Sequence, residues 1–91
     1  MGDQDIKNAI VNTMLQNGIV GGHKAQRQSV AGWAVASHNE GRAKDLIDDL
    51  IQEGVIESYG GGHRDNIRLA SVDRAVDYLK ANGGDLPWGY D

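Results

Sequence analysis

Cysteine is absent from this 91-residue chain, phenylalanine is absent too, and proline occurs once, at Pro87. Without thiols there is no disulfide staple, no thiolate zinc site and no cysteine nucleophile, so stability has to come from packing. The large rings reduce to Trp33, Trp88 and three tyrosines, too few and too scattered for a base-stacking platform. No apolar run approaches the ~20 residues that cross a bilayer. The N-terminus also lacks the basic flank and apolar stretch of a signal peptide, so the cytoplasm is the expected compartment and no membrane partner is expected. Positive charge is short as well. Nine Lys and Arg face thirteen Asp and Glu, a net charge of -4, which is opposite to the footprint of a dedicated nucleic-acid binder, so any such contact must use a local patch.

The chain is 40% hydrophobic and 24% charged. At this size two independent cores are implausible, and one domain over residues 1–84 with an apolar tail over 85–91 is the expected organisation. Glutamate stands only at Glu40, Glu53 and Glu57; all other acids are Asp. That bias fits an acidic surface adapted to high intracellular salt, or chance in a short chain.

The organising stretch runs from Asn39 to Leu69. Ala43, Leu46, Ile47, Leu50 and Ile51 recur at i, i+3, i+4, i+7 and i+8, one side of a helix that starts within a residue or two of Glu40. Ser37 with Glu40 has the spacing of a capping box, and Asn39 is an alternative cap. Gly54 supplies the positive φ that ends the helix. Val55 to Tyr59 has strand character, Asn66 to Ala70 alternates polar with apolar, and Gly60 to Asp65 between them forms a projecting hairpin tip.

Upstream, Asp3 or Asp5 is expected to cap a helix burying Ile6, Ala9, Ile10, Met14 and Leu15, stopped by Gly18. Ile19-Val20 is a short β-branched pair expected to form a bridging strand. Ser29 reads as the N-cap of a second helix through Val30, Trp33, Ala34 and Ala36, with Trp33 its anchor in the core. Downstream, Ser71 caps a last helix that buries Val72, Ala75, Val76 and Leu79 and ends at Asn82-Gly83-Gly84. Leu86, Trp88 and Tyr90 make the tail too apolar for a solvated terminus, so it is expected to dock on its own domain or on a second copy.

Ser29 to Gly54, followed by Val55-Ile56 and the hairpin to Leu69, resembles the winged-helix domains of prokaryotic (archaeal or bacterial) transcription regulators. The run LIDDLIQEGVI from Leu46 to Ile56 is similar to that family's recognition helix, which ends in leucines, a glycine and a β-branched strand. The resemblance implies an α+β winged helix-turn-helix: a three-helix core, a β-hairpin wing and a C-terminal fourth helix. It also implies double-stranded DNA as partner, with the third helix in the major groove and the wing on the backbone or minor groove. Glu40, Gly41, Arg42 and Asp45 fall at the family's base-facing positions, and His63 and Arg64 at the wing tip. Arg42 is the foremost of these, because arginine can pair bidentately with guanine. Lys24, Arg27, Lys44 and Arg68 are placed to hold phosphates. Regulators of this kind often form homodimers to match two half-sites, and the first helix, last helix and tail offer the surface.

One feature opposes that reading. Beyond its first turn the exposed side of the third helix carries Asp45, Asp48, Asp49 and Gln52, and phosphates repel such a face. Either the helix N-terminus alone approaches DNA, where Arg42 and the positive dipole end lie, or the surface serves a protein partner, or the aspartates are a solvated face with no partner. Gly-Gly-His followed by a base occurs at Gly21 to Lys24 and at Gly61 to Arg64, as two convergent glycine turns or as a shared phosphate-binding device. Catalysis is not expected. His23, His38 and His63 lie in separate loops without metal-ligand spacing, no phosphate-loop Lys-Ser/Thr follows the glycines, and no Ser-His-Asp arrangement is aligned. No metal or cofactor is therefore expected.

Overall fold

The computed structural model describes residues 2–59 and 65–90. In chain order the elements are helix α1 (Asp3–Gln16), strand β1 (Ala25–Gln26), helix α2 (Arg27–Ala34), a 3-10 turn (Ser37–Asn39), helix α3 (Glu40–Gln52), strands β2 (Ile56–Tyr59) and β3 (Asn66–Leu69), and helix α4 (Val72–Ala81). Among the described residues this is an α+β domain of four helices and one antiparallel three-stranded sheet, ordered β1-β3-β2. Helices α1, α2 and α3 pack on one another and α4 packs on α1.

Helix α3 packs against α1, α2 and β2 through its apolar stripe. Ala43, Leu46, Ile47 and Leu50 are buried and Ile51 half-buried. Gly54 ends it at φ 79°. The Val55 N–H donates to the Leu50 carbonyl (3.0 Å) and the Gly54 N–H to that of Ile51 (3.1 Å), which satisfies two helix-end acceptors. The same turn delivers Val55 and Ile56, both buried, into the core and starts β2.

Strands β2 and β3 pair from Ile56 opposite Leu69 to Tyr59 opposite Asn66. Ile67 and Leu69 of β3 point into the core while Asn66 and Arg68 stay partly exposed, the alternation of a half-buried strand. The bridge expected at Ile19-Val20 is present, and the third strand follows it. Ile19 and Val20 meet the sheet through one parallel bridge to Leu69 and one hydrogen bond, Leu69 N–H to the Ile19 carbonyl (2.8 Å). The chain then turns back, the His23 N–H donating to the Val20 carbonyl (3.1 Å), and Ala25–Gln26 pairs antiparallel with Ile67 and Asn66. Two residue pairs in antiparallel register, against one parallel bridge, make Ala25–Gln26 the strand although its β-propensity is weaker.

Helix α2 differs at both ends and in its anchor. It starts at Arg27, two residues before Ser29, where the Arg27 N–H donates to the Asp65 carbonyl (2.9 Å) and Gln26 is the N-cap residue without a side-chain cap. It stops at Ala34, since Val35 is extended. Val30 and Ala31 fill the core position expected for Trp33, which is 50% exposed. The capping box is also not formed: the 3-10 turn runs directly into α3 at Glu40, and no side chain caps either one.

Helix α1 buries Ile6, Ile10, Val11, Met14 and Leu15, leaving Ala9 half-exposed. Gly2, not Asp3 or Asp5, is its N-cap residue, and Asp5 accepts from the Gly2 N–H (3.2 Å). Ser71 does cap α4, its Oγ accepting from the Arg74 N–H (3.0 Å), and Tyr78 joins Ala75 and Leu79 in the core. The tail lies against its own domain. Asn8 Nδ2 donates to the Asn82 carbonyl (3.1 Å) and Asn12 Nδ2 to that of Asp85 (2.7 Å), while Leu86 and Tyr90 pack on the core. Gly84 permits the close approach, because a Cβ there would stand 2.7 Å from Leu79 Cδ2 and 2.9 Å from Asn8 Cγ.

Candidate nucleic-acid interface

The first turn of α3 carries Glu40, Gly41 and Arg42, positioned by the 3-10 turn that feeds the helix. Gly41 is exposed, with nothing within 4 Å of where a Cβ would sit. Glu40 leans back toward α2, its Oε1 3.1 Å from the Cβ position of Gly32. Arg42 is half-exposed, and its guanidinium grips Asp3 at the start of α1 with two hydrogen bonds, Nε to Oδ1 at 3.0 Å and Nη2 to Oδ2 at 2.5 Å. The hydrogen bonds from Arg42 hold the Asp3 carboxyl below its ordinary value, and those to Asp3 raise Arg42 further.

That lowering has a definite sign. A carboxyl depressed in the folded state contributes stability above its unfolded pKa and loses it as pH falls through the folded value. Titration followed by NMR is therefore expected to place the Asp3 midpoint below the ordinary aspartate value of about 3.9. In Arg42→Ala the midpoint should return toward that value, and an unchanged midpoint would show that the pair does not form in solution.

A second rung joins α1 to α3. Lys7 Nζ lies 3.1 Å from Glu53 Oε2 and 3.8 Å from Asp49 Oδ2. Its partial burial opposes the charge, but the Glu53 hydrogen bond and the nearby carboxylates outweigh this and raise its pKa. Arg74 of α4 donates from Nη2 to the Glu53 carbonyl (2.8 Å). Cations from two helices thus close on the C-terminal end of α3, the negative end of its dipole.

Arg27 ties the other flank. Its Nη1 donates to Asp48 Oδ1 (2.5 Å) and to the Lys44 carbonyl (3.2 Å), and its Nη2 to Asp65 Oδ1 (3.4 Å). Nε lies 2.5 Å from Asp65 Oδ2 as an ion pair without hydrogen-bond alignment. The side chain is only 16% exposed. Burial opposes its charge, and the Asp48 and Asp65 hydrogen bonds outweigh it, so its pKa is raised. Lys44 is half-buried and borders a hollow of about 250 Å³ with Gln26, Arg27, Gln28 and Asp65.

On the sheet, Arg68 donates from Nε to Glu57 Oε1 (3.0 Å) and from Nη1 to the Gly21 carbonyl (2.7 Å). Lys24 is exposed in the turn before β1, and Asp45 is exposed mid-helix. His63 and Arg64, at the expected wing tip, lie outside the described residues. The structure thus brings Glu40, Gly41 and Arg42 to one end of α3, leaves Asp45 exposed in its middle, and brings Arg27 with Lys44 to its flank. It also shows what sequence reading missed. Asp48 and Asp49 are paired by Arg27 and Lys7 instead of standing free, and the Asp3–Arg42 and Lys7–Asp49 pairs join residues far apart in the chain that meet only where α1 lies against α3. Among the described residues no three His, Asp or Glu side chains converge as a metal site, and no helix is long and apolar enough to cross a membrane.

No protein-family model, curated protein or solved structure matches this chain.

Proposed function

We propose that the chain is a winged helix-turn-helix domain that binds double-stranded DNA and regulates transcription. The first turn of α3 enters the major groove, and the β2–β3 hairpin lies on the backbone. The observation that carries the reading is the sheet: a strand between α1 and α2 pairs with the returning strand of the hairpin that follows α3, in the order β1-β3-β2. This strand order is the one a winged helix-turn-helix requires, with α2 and α3 as its helix pair and β2–β3 as its wing, and so supports the reading. The pairing of Asp48 with Arg27 and of Asp49 with Lys7 also supports it, since those carboxylates are partly neutralised and leave Asp45 as the main repulsion on the exposed helix face.

Contact by Arg42 requires it to leave Asp3 for a base edge, which makes Asp3 a competitor for the same guanidinium. Duplex titrations at graded salt test this. Wild-type affinity is expected to fall as salt rises, through counterion release. Arg42→Ala should bind roughly 10- to 100-fold more weakly, the worth of one bidentate base contact. Asp3→Asn should bind more tightly than wild type, because the competing carboxylate is gone.

A second reading has its own observation. Arg27, Arg42 and Arg68 each bind acceptors within the chain, which favours a winged-helix protein-interaction module that uses the acidic face of α3 without DNA. No duplex binding at any salt would select it, whereas equal binding by wild type and both variants would remove Arg42 from the DNA contact.

A further inference from the structure

Trp88 is 95% exposed and Trp33 50% exposed, the two large hydrophobic side chains that the described residues leave in solvent. They are the chain's two tryptophans, and both line one groove of about 620 Å³ between α1, the end of α2 and the tail. The groove shares no residue with the candidate nucleic-acid interface. Its floor is one face of α1, where Asp5, Asn8, Ala9, Asn12, Thr13 and Gln16 recur at i, i+3, i+4, i+7, i+8 and i+11. At 1.5 Å per residue that face runs about 16 Å. The tail wall is seated, not loose: Asn8 and Asn12 hold the carbonyls of Asn82 and Asp85, Leu86 packs on the core and Pro87 is buried. An indole held in water by a seated backbone gains nothing within its own chain, and its faces stay open to a ligand.

Charge selects what the groove can hold. Asp5 and Asp85 line it, and no Lys or Arg does. Among the described residues neither carboxylate has a cation as partner, whereas Asp3, Asp48 and Asp49 each have one. The side-chain amides of Asn8, Asn12 and Gln16 already donate within the chain, so the groove offers chiefly oxygens and ring faces. A guanidinium uses both, because it forks onto a carboxylate and stacks on an indole. We propose that this groove binds a basic peptide segment of another protein, extended along α1, with arginine side chains over the Trp33 and Trp88 rings and against Asp5 and Asp85. The length of the floor favours a peptide over a lone amine, since about five extended residues at ~3.3 Å each cover it and one side chain does not. A neutral apolar partner would cover both carboxylates without a counter-charge, and a second copy would bring like charges to the same rim.

Because both tryptophans line the groove, the intrinsic fluorescence of the full chain reads its occupancy directly, without DNA and independently of nucleic-acid binding. Titration with the peptide acetyl-Ala-Arg-Ala-Arg-Ala-amide is expected to change the emission saturably, with affinity falling as salt rises. The same peptide with glutamine in place of arginine should leave it unchanged. Trp88→Ala, read through Trp33, should bind roughly 2- to 30-fold more weakly, the span of a cation–π contact from exposed to desolvated. Its melting temperature should match wild type, because the ring packs on little in its own chain. Asp85→Asn should weaken binding roughly two- to fivefold, as loss of an exposed ion pair does. Asp77→Asn, exposed on α4 outside the groove, should bind like wild type. No saturable change with the arginine peptide, equal binding of the glutamine peptide, Trp88→Ala or Asp85→Asn binding like wild type, or Asp77→Asn weakening as much as Asp85→Asn would each overturn the proposal. So would arginine amide alone binding as tightly as the peptide, or sedimentation showing a self-association that Trp88→Ala abolishes, which would give the groove to a small cation or to a second copy.

Discussion

Replacing Leu50 by alanine is expected to remove about 3–5 kcal/mol of folding stability, the range for a buried leucine whose surroundings relax only partly. Leu50 is fully buried in the stripe of α3, and its carbonyl takes the Val55 N–H that closes the helix. The substitution leaves that backbone bond in place and empties the space where α3 meets the core, so the loss reports packing alone. A domain of this length has about 5–14 kcal/mol in total, so the variant approaches the edge of folding. Urea unfolding should show a lower midpoint at unchanged slope, and the melting temperature should fall by roughly 15–30 °C. Ile51→Ala, one residue on but half-buried, is the internal comparison and should cost clearly less. Equal losses in the two variants would mean that α3 does not present the face described.

Arg27→Ala is the second large effect, about 2–3 kcal/mol. Hydrogen bonds to charged groups contribute about 1.5–3 kcal/mol when shielded, but Asp48 and Asp65 are 62% and 57% exposed and water replaces part of what they lose. What raises the cost above that of a surface pair is the arginine itself. It is 16% exposed and joins the start of α2, the middle of α3 and the entry to β3 in one side chain. Arg27→Met separates the contributions, since it keeps the packed stem and discards the charge, and should recover part of the loss. Chemical denaturation of the two variants measures both. If Arg27→Ala unfolds with wild type, the clip contributes nothing and the hairpin entry is held by backbone bonds alone.

Much of this architecture was legible beforehand, and the reasons are local. The α3 stripe, the positive φ at Gly54, the Ser71 cap and the alternation of β3 each depend on residues within one or two turns of one another, where periodicity and capping chemistry operate directly. The misplacements have the opposite cause. Ala25–Gln26 has weaker strand propensity than Ile19-Val20, but it is the pair that a turn carries alongside Ile67. Trp33 has the size of a core residue, but Val30 and Ala31 on the same helix fill the space facing α1 and α3. The candidate interface divides in the same way. That Arg42 lies at an exposed helix start could be read from spacing; that it holds Asp3 could not, because the two are 39 positions apart.

By itself the sequence determined that the chain has one core, no thiol chemistry, an excess of acidic residues, and an organising helix-and-strand stretch from Asn39 to Leu69. These follow from composition and from interactions between near neighbours, whose geometry the backbone largely sets. Only the tertiary structure decided which charges are spent within the chain and which rings remain outside it. Arg27 and Lys7 neutralise Asp48 and Asp49, Arg42 is taken by Asp3, and Trp88 stands in solvent beside a groove. The physical reason is one of range: an ion pair or a packed ring needs its partner within a few ångströms, and which distant residues come that close is set by how the helices cross, not by anything a short window of sequence contains.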